Sequence, residues 1–470
     1  MKRFSRRDFL RTSAALAGLS ALNVSVPSIC TAAGSPNEKL NLAFVGVWGQ
    51  VRTTMEMMKD ENFYAFCDVD EKRLGMANEV YPGAKQFRDY RKMLEDLEPQ
   101  IDAVIVSTPD HMHAAPSVQA MRMKKHCYTE KPLAHDVHEA RVMQEVAKEM
   151  GVVTQLGTQP NAGNNYYETE EIIKSGAIGK VSEVHVWNHT GDTSGYAVEV
   201  GGVKDVGIPL GIGWGQPSDQ KQPVAQPVPA ELDWDLWLGA AEDTPYNLAY
   251  VPANWRRWWR FGSGQLGDFG CHFMNLPIRT LGLLNCDTVQ AWGPKVNPYA
   301  CPEWLRVRYT FPATKERGPV TMTWYDGKDL PEMDAVLAKY KLPSLGRGIL
   351  FVGTEGFLIA DYGTHKMFPE AKFADYKAPD PFIPRSCDGE FPDSGWVGHY
   401  HEFLRGCKAN DPKLARCPFA YAGRMTETVL LGTVAYKVGK KLKWDAEKCK
   451  TNDAQANKLL ALPRRKGFEL

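Results

Sequence analysis

At 470 residues the chain is long enough for two domains, because single hydrophobic cores rarely grow beyond ~250–300 residues, and a hydrophobic content of 43% with 11% aromatics excludes a disordered protein. Lys+Arg and Asp+Glu each total 56, so no net charge favours nucleic acid or an anionic membrane surface as a partner. Ten cysteines form no C-x-x-C pair and no zinc-like spacing, so no metal site is predicted and most thiols are expected to be free and buried, with Cys387, Cys407 and Cys417 the ones to check for a bridge.

Residues 1–33 read as an export signal. Ser5 to Arg11, "SRRDFLR", is a twin-arginine sequence, and the apolar stretch from Thr12 to Ile29 is interrupted by Asn23 and Pro27. Those interruptions make it a poor spanning helix. Small residues at Thr31 and Ala33 put cleavage just after Ala33. Cys30 follows Ser28-Ile29, a poor lipoprotein box, so no stable membrane anchor is expected. The expectation is a periplasmic protein passed already folded to the twin-arginine translocase, with any cytoplasmic cofactor loaded beforehand.

From residue 38 to about 160, strands and helices alternate. "LNLAFVGV" precedes a helical stretch around Gln50 to Lys59, and "FYAFCDV" precedes a helix around Glu71 to Val80. After a further short helix come "IDAVIVST", a helix around Ala114 to Lys124, "HCYTE", a helix from about Asp136 to Met150, and "VVTQLG". Apolar runs of five to eight residues spaced by amphipathic helices predict a doubly wound parallel sheet covered on both faces. Ligands bind such sheets beyond the carboxyl ends of the strands. There the sequence places Asp68, the "TPDHMH" turn at 108–113, and Glu130-Lys131-Pro132.

The first strand delivers Gly46 into a nucleotide-binding turn that departs from G-x-G-x-x-G. Trp48 occupies the second glycine slot and Val51 the third. Gly49, one position later, can restore a close backbone approach after a small register shift. Trp48 then points away from the phosphates, toward solvent, the second domain or the substrate cleft. Asp68 lies 22 residues after Gly46, where a carboxylate takes the ribose hydroxyls of an adenosine. Lys72 and Arg73 follow closely and suit a 2′-phosphate instead, so NAD is favoured over NADP only modestly.

Residues 161–445 read as a second domain on a mainly antiparallel sheet, followed by a tail at 446–470. "KVSEVHVWNHT", "WLRVRYTF", "PVTMTWYD" and "GILFVGTEGFLIAD" are strand candidates without helices at regular intervals. A Gly/Pro-rich stretch runs from Gly191 to Pro229, and helices fall near "VGHYHEFLRGCK" and "GRMTETVLLGTVAYKVGKKL".

Two constellations could carry chemistry. Lys131 stands at the carboxyl end of a strand and before a proline, and a cis Lys131–Pro132 peptide would turn it into the cleft. Asp268 and His272 in "GDFGCH" are four apart, hence on one face if the segment is helical. Such a pair suits proton transfer, with His272 as the general base and Asp268 holding its tautomer, Lys131 stabilising negative charge on the same oxygen, and Lys131 itself as the base the main variant.

Together "TPDHMHAAPSVQAMRMKKHCYTEKPLAHDVHEAR", "QLGTQPNAGNNYYETEEIIKSGAIGKVSEVHVW" and "WDLWLG…NWRRWWRFGSGQLGDFGCH" resemble the Gfo/Idh/MocA oxidoreductases over about residues 38–445. The resemblance implies a Rossmann domain, a C-terminal α/β domain with an open sheet, often used for oligomerisation as homodimer or homotetramer, and NAD(P)-dependent hydride transfer on sugars, polyols or their derivatives. It places the family's catalytic lysine on Lys131 and its Asp and His on Asp268 and His272. The expected cofactor site comprises Gly46, Trp48, Gly49, Gln50, Asp68, Thr108, Pro109, His111, His113, Glu130, Lys131 and Gln159. Two other readings are a redox-neutral, NAD-dependent glycosidase and a non-catalytic sugar-binding relative.

Overall fold

The computed structural model describes residues 39–189, 199–200, 203–204, 215–252, 254–343, 345–385 and 397–470. The export signal at 1–33, Cys30, Cys387 and most of the glycine/proline-rich stretch before residue 215 lie outside the described residues.

Six parallel strands form the first sheet: β1 (Asn41–Val45), β2 (Asn62–Cys67), β3 (Lys85–Phe87), β4 (Ala103–Val106), β5 (His126–Glu130) and β6 (Thr154–Gly157). Their order is β3-β2-β1-β4-β5-β6, with the switch point between β1 and β4. The alternation inside β1 explains the two covered faces. Ala43 and Val45 point into one core, while Leu42 and Phe44 point into the other, and all four are buried. The helices Glu71–Val80 and Ala114–Arg122 form where periodicity predicts them. Helix Val137–Met150 starts on a capping box, in which Asp136 accepts from the Glu139 amide and the Glu139 side chain reaches back to the Asp136 amide.

The second sheet has nine strands: β7 (Val181–His189), β8 (Thr288–Trp292), β9 (Leu305–Phe311), β10 (Val320–Gly327), β11 (Arg347–Gly353), β12 (Phe357–Ala360), β13 (His365–Phe368), β14 (Leu442–Asp445) and β15 (Lys450–Thr451). The order is β13-β12-β11-β7-β10-β9-β8-β14-β15, and only β7 and β10 run parallel. A parallel Rossmann sheet beside a mainly antiparallel one matches the predicted class.

Three elements differ from the sequence order. Helix Val397–Ala409, counted with the second domain, buries Tyr400 and Phe403 with Phe44, Phe66 and Tyr128 on the first sheet. Its aromatic face finds apolar area there, so it closes the first domain instead. Helix Phe419–Val438 packs against Val137–Met150 in the same way, and Arg141 and Glu427 join the two by paired bonds of 2.6 and 2.8 Å. The tail is docked: Leu462 N donates to Asp136 Oδ2 at 2.9 Å, and Arg464 pairs with Glu139. Cys407 and Cys417 are both buried free thiols.

Candidate active site

The turn after β1 keeps its backbone function with two glycines. Gly46 has φ +83°, and its amide donates to Cys67 O at 2.8 Å. A Cβ there would lie 2.6 Å from Ser107 O, so glycine is required by both conformation and space. Gly49 has φ +98°, and among the described residues Arg73 Nη1 is the only atom near a Cβ, at 3.8 Å. Trp48 is 6% exposed and lies in the core cluster with Phe44, Val51 and Met55, with the Arg52 guanidinium 5.0 Å from its ring centre. Its side chain therefore points into the protein, not toward solvent, the second domain or the cleft. An indole buries too much apolar area to be left beside a phosphate turn. Helix Val51–Met57 begins with no side-chain cap at Gln50.

Asp68 closes β2 beside this turn. Its carboxylate accepts from Val47 N and Asp70 N, each at 3.1 Å. Burial pushes its pKa up against the opposing charge of Arg73.

At the ends of β4 and β5 the polar residues sort into two kinds. Thr108 Oγ1, Glu130 Oε2 and both amide atoms of Asn161 are buried with no partner among the described residues. Glu130 Oε1 is held by Gln159 Nε2 at 3.1 Å, and a Cβ on Gly157 would strike the Glu130 carboxylate. Orphaned polar atoms along the strand ends, beside the Gly46 turn and Asp68, fit a dinucleotide that hydrogen-bonds them.

The two histidines of "TPDHMH" do other work. His113 lies between the two loops, with Nδ1 2.6 Å from Pro132 O and Nε2 2.8 Å from Thr108 O; burial pushes its pKa down to about 4, so the neutral ring donates to one of these carbonyls. His111 turns away into the second domain: Nε2 meets Trp237 O at 3.0 Å, and its ring packs on Trp237 and Phe261. The 3-10 turn Asp110–Met112 carries it there, and its Nδ1 is buried with no partner among the described residues.

The Lys131–Pro132 peptide is cis, as expected. Lys131 Nζ pairs with Asp268 Oδ1, and Arg256 Nε lies 3.3 Å from the same oxygen. Asp268 is 3% exposed; burial raises its pKa, but the charges of Lys131 and Arg256 outweigh it and hold the carboxyl down at about 2. Helix Gly264–Phe273 does place His272 one turn on from Asp268. The carboxylate nevertheless makes no hydrogen bond or ion pair with the imidazole, so the expectation that Asp268 holds the His272 tautomer gives way to a Lys131–Asp268 pair. Two cations at one oxygen outbid a neutral ring. Burial, aided by Lys131, pushes His272 down to about 3, so the ring is neutral. Its Nδ1 has no partner among the described residues, and Tyr166 Oη donates to the His272 carbonyl at 3.2 Å.

Two residues of this cluster escaped the sequence reading. Arg256 lies in "NWRRWW", where an aromatic run hid a functional cation. Asp110 lies in "TPDHMH", and its carboxyl is 1% exposed with Oδ1 unpartnered. Burial, opposed by Arg256, pushes its pKa up to about 7.

Comparisons with known proteins agree with this arrangement. The NAD-binding Rossmann model of the Gfo/Idh/MocA oxidoreductase family matches residues 40–158, and the family's C-terminal alpha/beta model matches 195–316. Myo-inositol 2-dehydrogenase of Thermotoga maritima is 30% identical over 126 residues, which span 27% of this chain and 37% of that protein. The scyllo-inositol 2-dehydrogenase (NAD(+)) of Bacillus subtilis is 35% identical over 96 residues, 20% of this chain and 28% of that protein. The fold as a whole resembles the WlbA dehydrogenase of Bordetella pertussis, solved with NADH and UDP-GlcNAcA, with a TM-score of 0.56. Identity there is 14%, over 87% of this chain and 99% of that one.

Proposed function

We propose that this chain, which belongs to the Gfo/Idh/MocA oxidoreductases by both of its domains, is an NAD-dependent dehydrogenase acting on a secondary alcohol of a sugar, polyol or derivative. The observation that carries the reading is the buried Lys131–Asp268 pair with a neutral His272 one helical turn away. The names of the inositol dehydrogenases, similar over part of their length, support a polyol-like substrate.

Gly46, the turn to Gly49, Asp68, Thr108, Glu130 and Gln159 would hold the cofactor. When bound, its nicotinamide supplies a hydride acceptor. This chain's residues handle the proton. His272, whose Nδ1 has no partner among the described residues, takes it from the substrate hydroxyl. Lys131 hydrogen-bonds the same oxygen and stabilises its growing negative charge. Asp268 and Arg256 fix the lysine's position, and Tyr166 fixes the backbone of His272. Asp68 favours NAD, because a carboxylate beside the ribose repels a 2′-phosphate.

The twin-arginine sequence supports export of the folded holoprotein to the periplasm, with assembly there as a homodimer or homotetramer. No described helix is long and apolar enough to cross a membrane. Denaturing protein purified from cytoplasmic expression should release NAD(H). A preparation free of nucleotide, with no calorimetric binding of NAD or NADP, would instead support a non-catalytic sugar-binding protein.

A further inference from the structure

Away from the cleft, a cavity of about 200 Å³ lies between the loop after β5, the aromatic segment at 255–261, the end of helix Phe419–Val438 and the C-terminal tail. Lys131, Asp268 and His272 do not line it. Sites for drug-sized ligands run ~300–1,000 Å³, so this one suits a single ring and not a dinucleotide.

Its charges do not balance. Arg464 is paired with Glu139, and Arg260 is paired with Glu242 at 3.0 Å. Burial holds the imidazoles of His111 and His135 neutral, down to about 4 and about 3. Lys437 is left. Its Nζ sits 4.1 Å from the centre of the Trp259 ring and meets no carboxylate among the described residues. Burial lowers its pKa to about 8, which leaves it charged at neutral pH. A cation–π contact compensates such a charge only partly, and a half-buried ammonium without an anion is costly. Trp258, Trp259 and Tyr299 make the wall beside it, and Tyr299 is 42% exposed.

We propose that this cavity is a second ligand site, for a small monocarboxylate with a ring-sized body, its carboxylate on Lys437 and its ring along the aromatic wall. A sugar acid and an aromatic acid share that chemistry. The site is independent of the nicotinamide.

The full-length protein is titrated with D-glucuronate, benzoate and D-glucose, by calorimetry and tryptophan fluorescence. Saturable binding of at least one carboxylate is expected, with glucose not binding at this site. Binding of glucuronate alone identifies a sugar acid, and of benzoate alone an aromatic acid. A charge-assisted contact of ~1.5–3 kcal/mol makes binding about tenfold weaker or more in Lys437→Met, while Lys437→Arg and His272→Ala retain it. The proposal is overturned if neither carboxylate binds. It is equally overturned if Lys437→Met binds as tightly as wild type, or if His272→Ala abolishes the signal and so assigns it to the cleft. If Lys437→Met does not fold, Lys437→Gln takes its place, with the same outcomes expected.

Discussion

Lys131 and Asp268, 137 residues apart, form an ion pair between the loop after the fifth Rossmann strand and a helix of the second domain. The lysine is thereby aimed, and the carboxylate is committed to it and to Arg256. Asp268→Asn should cut turnover by freeing Lys131, and should also destabilise the protein. Removing one partner of a buried pair costs ~3–5 kcal/mol, which urea unfolding would read.

The same pair sets an acid limit. A carboxyl held near 2 stabilises the fold fully above its unfolded value of ~3.9 and loses that contribution as pH falls through about 2. Wild-type stability should therefore fall more steeply than that of Asp268→Asn between pH 4 and pH 2, values bracketing those two pKas. Parallel curves would show that the pair contributes nothing.

His272→Ala should lower kcat by ~10²–10⁴-fold, the usual share of general acid–base catalysis, with NAD affinity nearly unchanged. Because burial and Lys131 hold the ring near 3, kcat/KM should not drop as pH passes the ordinary imidazole value of 6.5. A histidine limb there would place the ring in water.

Asp68→Ala should weaken NAD binding and narrow the preference over NADP, since Arg73 remains alongside. Calorimetry with both nucleotides checks this; an unchanged ratio would remove Asp68 from the ribose site.

Gly46→Ala should be more damaging than Gly49→Ala. Both need positive φ, worth ~1–3 kcal/mol for a side chain, but only at Gly46 would the new Cβ strike backbone, 2.6 Å from Ser107 O. Melting temperatures of the two variants give the order.

Much of this was legible in the sequence where local rules and tertiary structure agree. The helix at Glu71–Val80, the doubly wound sheet and the position of Lys131 at a strand end all followed from periodicity and punctuation. What was hidden depended on distant neighbours. A spacing of four put Asp268 and His272 on one face, yet it could not show that a lysine 137 residues away would claim the carboxylate. Position in the fingerprint made Trp48 a cofactor residue, whereas burial made it core. Helix Val397–Ala409 has an amphipathic pattern that shows it packs, but not that it packs on the first domain.

In the proposed mechanism Lys131 and His272 remove a proton from an alcohol as hydride leaves it. The most direct measurement is the absorbance of reduced nicotinamide when purified protein, loaded with NAD, is mixed with a panel of inositols, hexoses and sugar acids. At least one compound should raise that absorbance in the wild type and fail to do so, within the same time, in His272→Ala and Lys131→Met, both still holding NAD. Equal rates in those variants, or glycoside cleavage without net reduction, would contradict it.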